Sequence, residues 1–173
     1  MPESSSPPAW FSRVGTPLSP AETAALAALR LAAALPGGAA AGTVGHWYDA
    51  GAIVRAADRD GAWWDREEEE RERLWECAAE RHGEDGLAAE LAVVQDGLRD
   101  AVNAAAIAAM ARHGVADPGL AREAAAAALL AAHQWVLARL AGAGGDHYFT
   151  AKFELFAGGR WPLGVQDGRY WVF

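Results

Sequence analysis

Hydrophobic residues recur at helical spacing over most of this chain. The apolar positions of residues 84–113 follow one side of a long helix, at Leu87, Leu91, Val94, Leu98, Val102 and Ala105. The same periodicity predicts shorter helices over about residues 20–35, 46–58, 65–82, 118–141 and 146–157. Residues 39–45 are mainly Ala, Gly and Thr, and no element is assigned to them.

Capping residues mark several of the predicted helix starts. Ser19 followed by Pro20 and Glu22 forms a capping box with proline at the first helical position. Asp117 stands before another proline and is expected to cap the helix of residues 118–141. Asp65 and Asp146 are the expected caps of two further helices.

The last fourteen residues do not follow the helical spacing, and they predict a β-hairpin. Two β-prone runs, residues 161–166 and 169–173, flank an Asp-Gly pair, which favours a two-residue turn of type I′. This turn sets Gly164 opposite Trp171, where the missing side chain leaves room for the indole. The full predicted register pairs Val165 with Tyr170, Leu163 with Val172, Gly164 with Trp171 and Pro162 with Phe173.

These elements predict a mainly α fold: a single-domain bundle of five or six helices closed by a C-terminal two-stranded hairpin, residues 160–173. An isolated hairpin is marginal in water, and both faces of this one are apolar. It is therefore expected to be covered on both sides, by helices of its own chain or by a partner. The domain is predicted to span residues 10–173, after a Pro/Ser-rich flexible tail of residues 1–9.

Charge is distributed unevenly around this bundle. The net charge is −8, yet residues 58–100 hold 15 of the 23 acidic residues and only 6 of the 15 basic ones. This segment lacks the clustered basic side chains that a phosphate backbone requires, so no nucleic-acid partner is expected. The asymmetry permits a basic protein partner.

The glutamate run of residues 67–72 is the densest part of the acidic segment. It is either a solvated helix face or a docking surface that presents Glu68, Glu69 and Glu72 to a basic partner. Within the helix, the spacing also predicts stabilising (i, i+4) ion pairs, Glu67 with Arg71 and Glu69 with Arg73.

A second stripe on the long helix, opposite its leucines, is polar: Asp96, Arg99, Asp100 and Asn103. It is either a solvated face with local ion pairing or the polar wall of a ligand site. Ile107 and Met110 continue this sector, so its C-terminal half is expected to be buried.

His133 stands among the apolar residues of the predicted 118–141 helix. A histidine there is either a core residue with one satisfied nitrogen or a residue at the base of a pocket. If Asp100 or Asn103 of the neighbouring helix faces His133, that residue and His133 form the best catalytic pair in the chain.

Several specific motifs are absent. The single cysteine, Cys77, excludes an internal disulfide and a Cys-based zinc site. No helical metal motif, phosphate-binding loop or serine-nucleophile motif occurs, so no cofactor or metal is expected. The most apolar run, residues 124–132, is too short to span a bilayer. No membrane association is expected, and the predicted location is the cytoplasm.

Two functional hypotheses follow. The preferred one is a non-catalytic protein-binding module, of an immunity or regulatory type, that presents its acidic helix to a basic partner. The alternative is a small-molecule-binding protein or enzyme with a polar pocket between the helices of residues 85–113 and 118–141. The candidate ligand residues of that pocket are Asp96, Arg99, Asp100, Asn103 and His133.

Overall fold

A computed structural model describes residues 8–33, 40–56 and 61–173. The mainly α prediction is confirmed, with helices around a C-terminal hairpin. In chain order the described elements are α1 Pro20–Ala32, β1 Ala41–Thr43, α2 Trp47–Arg55, α3 Gly61–His82, α4 Glu84–Arg112, α5 Pro118–Leu140, α6 Tyr148–Ala157, β2 Pro162–Gln166 and β3 Arg169–Val172. The predicted ends of the first two helices, residues 34–35 and 57–58, and residues 1–7 of the predicted tail lie outside the described residues.

Local side-chain caps set two helix starts as the sequence predicts. The Ser19 hydroxyl accepts from the Glu22 amide, and the Glu22 carboxylate accepts in return from the Ser19 amide at 2.7 Å. At α5, the Asp117 carboxylate accepts from the amide of Leu120 at 3.0 Å. Each cap supplies an acceptor to an amide that has no partner within the helix.

Two other predicted caps are wrong. Helix α3 begins at Gly61, so Asp65 lies inside it. The buried Trp63 explains the earlier start, because it extends the apolar face of α3 by one turn. Helix α6 is capped by His147, whose Nδ1 accepts from the amide of Phe149 at 3.1 Å, and not by Asp146.

The hairpin forms with a register that differs from the prediction at its base. Asp167 and Gly168 both have positive φ, as a type I′ turn requires. Val165 pairs with Tyr170 and Gly164 with Trp171, as predicted. Beyond Gly164 an irregularity shifts the register, so that Pro162 pairs with Val172. The predicted pairs of Leu163 with Val172 and of Pro162 with Phe173 are therefore wrong.

A third strand, β1, completes the sheet in the order β1-β3-β2 and runs parallel to β3. Gly42 pairs with Trp171, and a Cβ at Gly42 would lie 2.5 Å from the Trp171 ring. The indole therefore lies over Gly42, whereas a Cβ at Gly164 would meet Trp64. The predicted role of Gly164 in making room for Trp171 is wrong.

Both sides of the hairpin pack into the helices, as predicted. On one side Trp161, Leu163 and Phe173 join a cluster with Trp47, where the Trp47 and Trp161 ring centroids lie 5.7 Å apart. On the other side Val165, Tyr170 and Val172 join a cluster with Trp63 and Tyr148. The hairpin thus separates two halves of the core, and the candidate site lies beside it.

Candidate functional site

The predicted polar stripe of α4 lies at the surface. Arg99 and Asp96 are exposed and form an (i, i+3) ion pair at 3.2 Å. Asp100 is exposed, and the Asn103 side chain donates to the carbonyl of Arg99 at 2.9 Å. These contacts are local to α4, so a ligand-binding role for the stripe stays a prediction.

The structure does not bring the five predicted ligand residues together. Asn103 lines a groove of about 750 Å³ between the end of α4 and the start of α5. His133 lines a separate depression of about 360 Å³ with Arg71 and Gln95. Ile107, expected to be buried, is 60% exposed at the edge of the first groove.

His133 is half-buried, and its Nδ1 has no hydrogen-bond partner among the described residues. Burial and the positive charge of Arg71 lower the pKa of His133. Both effects disfavour the imidazolium form. Neither Asp100 nor Asn103 lines the His133 depression, so the predicted catalytic pair is not assembled there.

Helix α3 carries its charges on two different faces. The exposed ion pairs are (i, i+3) pairs, Arg71 with Glu68 and Arg73 with Glu70, and not the predicted (i, i+4) pairs. Glu67 cannot pair with Arg71 on the surface because Glu67 points into the protein and is only 6% exposed.

Outside these pairs, five exposed carboxylates form an acidic face along α3. They fall within a sector of about 80° and extend over about 22 Å of the helix. None of them has an ion-pair partner in the described part of the chain. The acidic face consists of Asp65, Glu69, Glu72, Glu76 and Glu80.

On the inner side of α3, Glu67 is the centre of a buried polar cluster. Its Oε1 accepts from the ammonium of Lys152 on α6 and from the amide of Gln134 on α5, the latter at 2.9 Å. Its Oε2 accepts from the Tyr148 hydroxyl at 3.0 Å. The Lys152 ammonium also donates to Gln134 Oε1 at 3.1 Å. Three helices are thus joined by side chains that burial makes costly to leave unpaired.

The electrostatics of this cluster keep the Glu67 carboxylate ionised. Burial alone raises the pKa of Glu67, but the Lys152 charge and the donors from Lys152, Gln134 and Tyr148 outweigh it, and the pKa is lowered. Burial raises the pKa of Tyr148 well above its usual value, and the nearby Tyr170 and Glu67 add to the shift. Tyr148 is therefore a neutral donor to a carboxylate.

A cavity of about 380 Å³ opens beside the ion pair of Glu67 and Lys152. Its walls come from α2, α3, α5, α6 and the start of the hairpin, and most of them are apolar, including Trp64, Leu130 and Phe156. Arg55 and Glu123 form an exposed ion pair in the same wall, with the Arg55 Nε 2.8 Å from Glu123 Oε2. The volume lies at the lower end of the range for small-molecule sites.

Sequence reasoning missed both members of the buried ion pair, Glu67 and Lys152. Glu67 belongs to a run of glutamates, yet it follows Trp63 at i+4 and precedes Leu74, on the buried side of α3. Lys152 stands between Phe149 and Phe156 at spacings of three and four. A charged residue on an apolar helix face is the signal that identifies such a buried pair.

No family model, curated protein or solved structure matches this chain. Across residues 8–33, 40–56 and 61–173, no group of three or more His, Cys, Asp or Glu side chains could hold a metal ion. Within the same ranges, none of the helices combines the length and apolar character needed to cross a bilayer. The cavity and the acidic face are therefore the features of this protein that bear on its function.

Proposed function

We propose that this protein binds a small molecule in the cavity beside Glu67 and Lys152. The observation that carries the proposal is a buried ion pair in the wall of an open, largely apolar cavity. Apolar walls supply affinity in small-molecule sites, and a few fixed polar groups supply orientation.

The energetics of the pair support this proposal. Two buried charges stabilise a fold little, since their desolvation offsets most of their attraction and apolar residues of similar size often serve as well. Glu67 and Lys152 come from α3 and α6 and are oriented by Gln134 and Tyr148. This rigid arrangement of polar groups beside a cavity is typical of a preorganised binding site.

A cavity-filling variant tests the proposal. Ala127 on α5 lines the cavity, and Ala127→Leu should fill part of it while keeping a strong helix former. The matched control is Ala108→Leu, at an exposed position of α4 away from the cavity. Uncharged aromatic fragments are screened by NMR for shifts at Lys152 and Trp161. Binding should persist in Ala108→Leu and weaken in Ala127→Leu. The proposal is wrong if no fragment shifts these signals, or if both variants bind equally.

The acidic face of α3 supports a second candidate, a protein-binding module of an immunity or regulatory type for a basic partner. Its support is the set of five exposed carboxylates that lack ion-pair partners among the described residues. Of the three predicted contact residues, Glu69 and Glu72 belong to this face, whereas Glu68 is engaged by Arg71. Charge complementarity of this kind speeds association and sets specificity.

Charge-matched variants test the second candidate with a fluorescent oligolysine peptide. One variant neutralises Glu69, Glu72 and Glu76 as glutamines. The control neutralises Glu84, Asp85 and Glu90 at the exposed start of α4, as Glu84→Gln, Asp85→Asn and Glu90→Gln, and has the same net charge. Salt-dependent binding should fall only in the first variant. An equal loss in both would show attraction to net charge alone, and the acidic face would have no special role.

A further inference from the structure

The acceptors in the buried cluster are already engaged. Glu67 receives hydrogen bonds from Lys152, Gln134 and Tyr148 on its two oxygens. The Gln134 side-chain oxygen accepts from Lys152, and the Tyr148 hydroxyl lies 3.5 Å from that of Tyr170. A ligand that needs an acceptor finds little vacant capacity in this cluster.

Two residues of the cavity wall carry N–H donors that are not fully engaged. The Lys152 ammonium has three N–H groups and two acceptors, Glu67 and Gln134, with the Tyr148 ring centroid 5.7 Å away. Trp161 is 1% exposed, and its Nε1 has no acceptor within the described residues. A buried donor without an acceptor is unfavourable, and a ligand that supplies one removes this cost.

The charges around the cavity cancel in pairs. The ammonium of Lys152 is balanced by Glu67, and the guanidinium of Arg55 is balanced by Glu123. A carboxylate ligand would enter an apolar cavity without an uncompensated cation to receive it, which is costly. An uncharged acceptor does not carry this cost.

We infer that the cavity takes an uncharged, largely apolar small molecule whose carbonyl-type oxygen accepts hydrogen bonds from Lys152 and Trp161. This inference rests on the proposed function, that the cavity is a binding site. It assigns the ligand class from the engaged acceptors, the vacant donors and the cancelled charges of the wall.

Three probes of similar size test the ligand class in the unmodified protein. Acetophenone carries the carbonyl, α-methylstyrene replaces its oxygen by a methylene group, and benzoate replaces the ketone by a carboxylate. Acetophenone should bind about three- to tenfold more tightly than α-methylstyrene, as one gained hydrogen bond predicts, and more tightly than benzoate. Calorimetry or NMR titration measures the three affinities.

Two NMR signals report on the donors. Lys152 is the only lysine, so ¹³C-labelled lysine gives one side-chain signal, and the Trp161 indole N–H is assigned by its loss in Trp161→Phe. Acetophenone should shift both signals more than α-methylstyrene does. Trp161→Phe should reduce the acetophenone advantage, whereas Trp47→Phe, in the same aromatic cluster but outside the cavity wall, should keep it.

The outcomes separate the ligand class from the site. Equal binding of acetophenone and α-methylstyrene at the cavity, or tighter binding of benzoate, overturns the inferred class while the binding site stands. An unchanged advantage in Trp161→Phe overturns the role of Trp161. If none of the probes shifts the Lys152 or Trp161 signal, the inference fails together with the site. The wild-type titrations carry the test even if Trp161→Phe does not fold.

Discussion

Two ion pairs in this protein, Glu22 with Arg160 and Glu67 with Lys152, each contain a buried cation, and they differ in how completely its donors are used. Arg160 is 2% exposed, and its guanidinium donates twice to Glu22 and to the carbonyls of Arg13, Thr16 and Pro17. All five of its N–H groups thus have acceptors. The Lys152 ammonium has acceptors for two of its three N–H groups and lies beside a cavity.

The difference fits a structural role for Arg160 and the proposed binding role for Lys152. Arg160 precedes the hairpin, and its acceptors belong to the segment that leads into α1, so it joins the two ends of the described fold. Arg160 does not line the cavity beside Glu67 and Lys152. The cluster around Lys152 is less complete and lies beside a cavity, as expected for polar groups that take part in the proposed binding site.

The largest effect is expected for Arg160→Ala. The substitution leaves three carbonyls without their donor and removes two of the hydrogen bonds to Glu22, which keeps those from Ser19. It should lower the free energy of unfolding by about 3 to 5 kcal/mol. Urea denaturation measures the loss. Arg169→Ala, at an exposed position of β3, is the control and should change stability by no more than about 0.5 kcal/mol. A similar small change in both variants would remove the structural role of Arg160.

A somewhat smaller effect is expected for Lys152→Met at the cavity. It leaves Glu67 buried without its cation and should cost about 3 kcal/mol, less than Arg160→Ala because the cavity can admit water. Adding Glu67→Gln should recover much of this loss, since the uncompensated charge is then gone. Urea denaturation of both variants measures the recovery. A double variant no more stable than Lys152→Met would show that the cost is one of packing, not of charge.

The stability that the Glu22–Arg160 pair contributes should decrease in acid, through protonation of Glu22. Its hydrogen bond with Arg160 leads the effects that lower the pKa of Glu22 from 4.5 to about 2. A carboxyl with a lowered pKa stabilises the fold fully above the pKa of the unfolded chain, so this contribution is lost as the pH falls from about 4.5 towards 2. The shift corresponds to at most about 3 kcal/mol.

Glu22→Gln isolates this contribution. The difference in unfolding free energy between wild type and Glu22→Gln should be large at pH 6.5 and small at pH 2.5, as measured by urea denaturation. The other carboxylates titrate in both proteins, so their effects cancel in the difference. A gap that stays constant over this range would contradict the lowered pKa of Glu22.

The sequence predicted the features of the fold that depend on interactions between neighbouring residues. The helices, the caps at Ser19 and Asp117 and the Asp-Gly turn follow from interactions between residues at most four apart. Strand β1 was missed, because three residues of Ala, Gly and Thr become a strand only when Trp171 lies over Gly42.

The candidate site shows the same limit. Glu67 and Lys152 are 85 positions apart, and Glu22 and Arg160 are 138 apart, so no local pattern links the partners. Helical periodicity placed Asp96 and Asp100 correctly on one face of α4. It did not show that this face is turned away from His133, because that depends on how α4 and α5 are rotated against each other.

The smallest effect is expected for Tyr148→Phe, which removes one donor from the incomplete cluster. Glu67 keeps the donors of Lys152 and Gln134, so the loss should be about 1 kcal/mol. Urea denaturation measures the loss. Tyr170→Phe is the control, because among the described residues the Tyr170 hydroxyl has one hydrogen-bond partner, the Tyr148 hydroxyl at 3.5 Å. A loss as large as that of Arg160→Ala would mean that the Glu67 cluster needs each of its donors as much as the Glu22–Arg160 pair does. The contrast between a structural pair and a binding pair would then have no basis.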